Sequence, residues 1–146
     1  MPTYAKNTNV TPERSITEIR ATLARYGAEE FAFAEKDGSA RVLFKMRGRM
    51  LRFDLIMPER DLAEFTRTPT RHSKRSESDS IKAWQQVCNQ RWRELALLIK
   101  AKLVAIESGI RDFDREFLGD MLLPDGVTVA EALIDKFETA YLTGGS

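Results

Sequence analysis

Apolar residues recur every three or four positions at Ile16, Ile19, Leu23 and Tyr26, so the first pattern in the chain is one face of a helix. Its start is marked twice, by Thr11 with Pro12 as first helical residue and by Ser15-Ile16-Thr17-Glu18, which reads as a capping box. Gly27 is placed to end it. The period then falls to two. Phe31 and Phe33 alternate with small residues, and Asp37-Gly38 marks a tight hairpin. Val42, Phe44 and Met46 line one face of a second strand and Leu51, Phe53 and Leu55 one face of a third, with Gly48 in the turn between them. Alternation sends Arg41, Leu43, Lys45, Arg47, Met50, Arg52, Asp54 and Ile56 to the opposite face. The first face is expected to be core. The second is expected to be basic and partly apolar, with Arg41, Lys45 and Arg52 in solvent.

Pro58 stops the third strand, and residues 59–79 carry no strong periodicity, which predicts a long mobile loop. From Ser78 or Ser80 a long helix is expected to run to Glu107, with Ile81, Trp84, Cys88, Leu95, Ile99, Leu103 and Ile106 on one stripe, Trp92 beside it, and Ser108-Gly109 closing it. Trp84 and Trp92 lie eight residues apart, near one face, which favours core packing over base stacking. The remainder reads as a short helix over residues 112–118, a turn at Pro124-Asp125-Gly126, and a last helix opened by Thr128 with Glu131 three residues on. Ala132, Leu133, Phe137 and Tyr141 supply the apolar face of that helix.

Together these elements define an α+β fold: a three-stranded antiparallel sheet covered on one face by an N-terminal helix and a long central helix, with a small helical C-terminal part. A chain of 146 residues supports one core, so residues 1–146 form a single domain. It divides into a flexible arm (1–10), a helix-sheet-long-helix core (11–107) and an acidic helical C-terminal part (108–146), whose last residues, Gly144-Gly145-Ser146, should fray.

Charge changes this picture. The net charge is +1, yet residues 41–75 hold ten Lys/Arg against four Asp/Glu and residues 107–146 hold three against nine. The basic stretch interleaves cations with apolar groups on the strands (Arg41, Lys45, Arg47, Arg49, Arg52) and collects four more, Arg67, Arg71, Lys74 and Arg75, in the loop. Arg91 and Arg93 flank Trp92 on the long helix. Arginine forks suit phosphate, and neighbouring apolar groups can receive unstacked bases, so these eleven residues are the candidate nucleic-acid contacts. The competing reading is a solvated sheet face kept soluble by its charges.

Catalytic and metal signatures are lacking. One cysteine, Cys88, and one histidine, His72, allow neither a disulfide nor a Cys/His zinc set. Cys88 falls on the apolar stripe, as a buried thiol does, rather than beside a base. Asp54 is the one acid inside the second or third strand, too few carboxylates for a metal-dependent nuclease, and Asp112, Asp114, Glu116 and Asp120 lack a calcium loop. The expectation is therefore a protein without cofactor and without enzymatic activity. No apolar run of eighteen residues and no signal-like N-terminus is present, which predicts a cytoplasmic protein without membrane contact.

The segments Tyr4-Ala5-Lys6-Asn7-Thr8, Leu23-Ala24-Arg25-Tyr26-Gly27-Ala28 and Arg91-Trp92-Arg93-Glu94-Leu95-Ala96-Leu97-Leu98-Ile99-Lys100-Ala101-Lys102-Leu103, ending Glu107-Ser108-Gly109, resemble a family of small uncharacterised proteins encoded by phages and prophages. That resemblance implies a phage or mobile-element setting and supplies no reaction. In architecture alone, the expected helix, three-stranded meander and long helix are similar to the core of single-strand annealing proteins, where a groove between sheet and helix holds single-stranded DNA. The combined expectation is a non-catalytic nucleic-acid-binding protein of phage or prophage type. It would prefer single strands and act in DNA recombination, replication or repair. The alternative is a phage-encoded interaction protein that inhibits or regulates a host protein; self-association is left open.

Overall fold

The computed structural model describes residues 10–144 except Asp37 and His72. The arm expected over residues 1–10, apart from Val10, therefore lies outside the described residues, as do Asp37 of the first hairpin, His72, and the final two residues.

Helix α1 spans Pro12–Arg25 and is capped by Thr11, whose hydroxyl accepts from the Arg14 N–H at 3.2 Å. Of the two starts legible in the sequence the Thr11-Pro12 one is used. Ser15 is instead buried within the first turns. Three strands follow, β1 (Glu30–Lys36), β2 (Ser39–Met46) and β3 (Arg49–Ile56), in the order β1-β2-β3 and antiparallel throughout. The register sets Phe44 opposite both Phe31 and Leu51, and Val42 opposite both Phe33 and Phe53, so six apolar side chains share one face. Helix α3 (Glu77–Ser108), capped by Ser76 and closed by Gly109 at φ 86°, contributes Trp92, Leu95, Ala96, Ile99 and Leu103 to the core. Ile19 and Leu23 of α1 complete it.

Between β2 and β3 the chain turns in two residues, Arg47 at φ 52° and Gly48 at φ 77°. Positive φ at both positions is what a type I′ hairpin requires. Glycine adopts it freely, whereas an arginine there carries a Cβ against the following carbonyl, at a cost of about 1–2 kcal/mol.

Residues 59–79 are more structured than the composition implies. A short helix, α2 (Ala63–Thr66), buries Phe65 almost completely. A hairpin then forms around an Arg67–Lys74 bridge, with the Thr68 N–H bonded to the Ser73 carbonyl at 2.9 Å and the Arg75 N–H to the Thr66 carbonyl at 2.8 Å. One apolar anchor and a few backbone bonds, none of which shows in a hydrophobic period, replace the expected open loop.

The acidic segment wraps the β3 side of the sheet. Helix α4 (Phe113–Phe117) places Phe113 and Phe117 in the main core. After a single 3₁₀ turn (Leu118–Asp120), Met121 bridges Leu51, and the Leu122 N–H donates to the Met50 carbonyl at 2.8 Å. This satisfies part of an edge strand that would otherwise be exposed. Residues 123–128 then cross to the outer face of β3 and lead into α5 (Val129–Leu142), opened by the Thr128-Glu131 capping box.

Candidate nucleic-acid interface

Strand alternation places Arg41, Lys45 and Arg52 on the outer sheet face, as the sequence implies, but Arg52 is not exposed. Only 6% of its surface is accessible. Its guanidinium donates to the Gly126 carbonyl at 3.1 Å, to Asp54 at 3.1 Å and to Glu131. The start of α5 and the preceding turn cover the part of that face around Arg52, so Arg52 is a buried clamp for the C-terminal part and not a phosphate contact. Arg41 pairs with its cross-strand neighbour Asp54 at 3.2 Å, and Lys45 stands 4.0 Å from Glu29. Arg49 holds Asp114 at 2.9 Å and the Arg47 carbonyl at 2.7 Å. On α3, Arg93 pairs with Glu18 of α1, and the intervening Trp92 is buried against Phe33 with ring centres 5.4 Å apart. That pairing gives Arg93 a helix-to-helix role and removes Trp92 as a base-stacking platform.

The acidic C-terminal part accordingly supplies counter-charge to two sheet arginines and to two cations outside the sheet. Asp114 and Glu131 take Arg49 and Arg52, while Glu116 takes Lys102 at 3.0 Å and Arg111 at 2.7 Å. Hydrogen bonds from Arg111 and then Lys102 hold the Glu116 carboxyl below its usual value. The Thr128 backbone N–H, reinforced by the Thr128 side chain and Arg52, does the same for Glu131. The opposite charges of residues 41–75 and 107–146 were the available signal, since such segments in one small domain attract each other.

Both lowered carboxyls give the same pH dependence. A carboxylate whose folded pKa lies below its unfolded value stabilises the fold above the ordinary value of 4.5, and that contribution is lost as pH falls through the lowered folded value. Acidification below 4.5 is expected to loosen residues 111–142 first. Hydrogen exchange at stepped pH checks this: opening of β2 and α3 together with that segment would contradict it.

Six of the eleven candidate cations remain without an ion pair among the described residues: Arg47, Arg67, Arg71, Lys74, Arg75 and Arg91. Arg67, Arg71 and Lys74 are exposed and Arg75 is half-buried, all four on the 67–75 hairpin. Arg91 is exposed on α3, and Arg47 lies 4.8 Å over the Phe113 ring.

No group of three or more potential metal-ligating side chains is found among the described residues. Cys88 is buried on α3, and burial, more than its neighbour Glu35, pushes its thiol above the ordinary value, the opposite of an activated nucleophile. His72, the one histidine, lies outside the described residues. No described helix is long and apolar enough to cross a membrane. With fold and site in view, the protein is defined as an α+β domain in which five candidate cations are paired and six have no ion pair among the described residues, four of these six on the 67–75 hairpin. No family model, curated protein or solved structure matches the chain.

Proposed function

We propose that the protein binds nucleic acid without catalysis, preferring single strands, and contacts it through the 67–75 hairpin. The observation that carries this reading is the unequal fate of the cations. The sheet arginines are neutralised by Asp54, Asp114 and Glu131, whereas Arg67, Arg71, Lys74 and Arg75 converge on one short hairpin with no carboxylate partner among the described residues. Four cations on one short hairpin, without an ion pair among the described residues, create a local positive potential, and a flexible single strand can wrap such a point more readily than a stiff duplex can. The resemblance to phage and prophage proteins implies a mobile-element setting for that binding, and a part in DNA recombination, replication or repair is what the architectural likeness to single-strand annealing cores implies.

Titrating labelled single-stranded and duplex oligonucleotides at several salt concentrations tests the reading. Binding is expected to weaken steeply as salt rises, because phosphate neutralisation releases counterions. Absence of salt-dependent binding to any DNA or RNA would sink it.

A second reading, an interaction protein that regulates a host protein, is favoured by a different observation. Ile134, Phe137, Tyr141 and Leu142 of α5 are all exposed, Tyr141 and Leu142 at 84% and 87%. Of the apolar face expected for α5, Ala132 and Leu133 are half-buried but Phe137 and Tyr141 are exposed, and an uncovered apolar stretch of helix suits a protein partner. Changing Phe137 and Tyr141 to Ser separates the readings, because oligonucleotide affinity is expected to stay unchanged.

A further inference from the structure

The two edges of the sheet are treated differently. Along β3, Met121 and Leu122 bond to the strand, whereas β1 pairs with β2 alone among the described residues. The phase of the ladder fixes which backbone groups β1 leaves over. The Met57 N–H donates to the Gly38 carbonyl at 3.0 Å, so the even-numbered residues of β2 turn their N–H and C=O groups to β3 and the odd-numbered ones, Ser39, Arg41, Leu43 and Lys45, turn theirs to β1. Their partners across that ladder are Lys36, Ala34, Ala32 and Glu30. Phe31, Phe33 and Glu35 therefore point their backbone groups away from the sheet, and no backbone partner meets them among the described residues. A free edge of this kind is a template for another strand unless its side chains oppose one.

The side chains of β1 match a second copy of the same strand. In an antiparallel pair with its two-fold axis at Phe33, Glu30 stands opposite Lys36 of the second copy and Lys36 opposite its Glu30. Ala32 faces Ala34, and Phe31 faces Glu35. The residues with outward backbone groups then meet one another, 31 with 35, 33 with 33 and 35 with 31, so every outward N–H finds a carbonyl. Moving the axis to Phe31 or Glu35 leaves part of the edge unpaired and separates Glu30 from Lys36. Glu30, Glu35 and Lys36 are exposed and have no ion pair among the described residues. Arg20, exposed and likewise without an ion pair there, lies 4.7 Å over Phe31, where Glu35 of the second copy arrives. On the inner face Phe33, half-buried against Trp92, meets its own counterpart and carries the apolar row across the axis.

We infer that two copies of this chain associate through antiparallel β1-to-β1 pairing centred on Phe33, joining their three-stranded sheets into one continuous sheet with a Glu30–Lys36 pair at each end of the seam. A strand from an unrelated protein would use the same backbone groups, but the alternation of acid and base at the two ends of β1 is complementary to itself, and that commits the edge to a second copy. The association is independent of nucleic-acid binding, and its test contains no oligonucleotide.

Sedimentation of the full chain over a range of concentrations is expected to show a reversible dimer. Glu30→Lys alone or Lys36→Glu alone sets like charges opposite each other at both ends of the seam, and each is expected to weaken the dimer by about tenfold or more. Both side chains are exposed, so both variants are expected to fold, which circular dichroism establishes. An equimolar mixture of the two variants is expected to recover the dimer, because the lysines of one chain then face the glutamates of the other, and the double variant carrying both changes is expected to dimerise by itself. Glu35→Pro removes an outward N–H that the β1-β2 ladder does not use and is expected to abolish the dimer. A chain that stays monomeric at every concentration, single charge variants that dimerise like the unmodified chain, or a mixture that fails to recover the dimer would each overturn the proposal. Loss of the dimer in Phe137→Ser/Tyr141→Ser, with the β1 variants still dimeric, would place the contact on α5 and overturn it as well.

Discussion

Phe44→Ala is expected to lower the free energy of unfolding by about 3–5 kcal/mol, the range for an emptied aromatic core site. Phe44 is fully buried at the centre of the sheet. It stacks on Phe53 at 6.0 Å between ring centres with the planes 7° apart, and meets the edge of Phe117 at 6.2 Å and 81°. Phe117 also meets Phe53 at 6.1 Å, so the three rings form a closed set joining the middle strand, an edge strand and α4. Truncation removes the transfer free energy of one ring and also leaves a void that β2, hydrogen-bonded on both sides, cannot close by shifting. Against a typical total of about 5–15 kcal/mol, the loss is a large fraction of stability. Urea unfolding gives the measurement, with the midpoint falling and the slope unchanged. A loss below about 1 kcal/mol would mean that the core does not centre on this ring.

The second large effect is expected from Ala at Arg67, Arg71, Lys74 and Arg75 together. Single-strand binding should weaken, and its dependence on log salt should flatten by about 0.7 for each phosphate that is no longer neutralised. The fold should survive, because the hairpin is closed by backbone bonds (Thr68 to Ser73, Thr66 to Arg75) and anchored by Phe65, none of which uses the four side chains. Circular dichroism and the urea midpoint establish that. Ala at Arg41 and Lys45 is the contrast: those side chains face Asp54 and Glu29, so their removal should change the slope by far less. Unchanged affinity and slope in the folded quadruple variant would reduce the hairpin to a solvated protrusion.

Periods of 3.6 and 2.0 were readable directly. They place α1, the three strands and α3 within a few residues of where they lie, because one-sided burial forces apolar groups into those repeats. The Thr128-Glu131 capping box was equally legible, since it is a local exchange of hydrogen bonds. The hairpin at 67–75 was less so, because a single buried phenylalanine and two cross-chain backbone bonds leave no repeat.

The candidate site divides along the same line. That cations are abundant in residues 41–75 is a property of composition, and which strand face carries Arg41, Lys45 and Arg52 follows from alternation. What covers that face does not follow. Glu131 lies 79 positions from Arg52, and Asp114 lies 65 from Arg49. Two opposite charges so far apart reveal in sequence only that they can attract. The chain determined the elements, the core face and the charge segregation, all set by neighbours within a few residues. Only the tertiary structure decided which cations are neutralised and which stay free, because that depends on where the C-terminal segment rounds the β3 edge and whose carboxylates it brings within hydrogen-bonding distance.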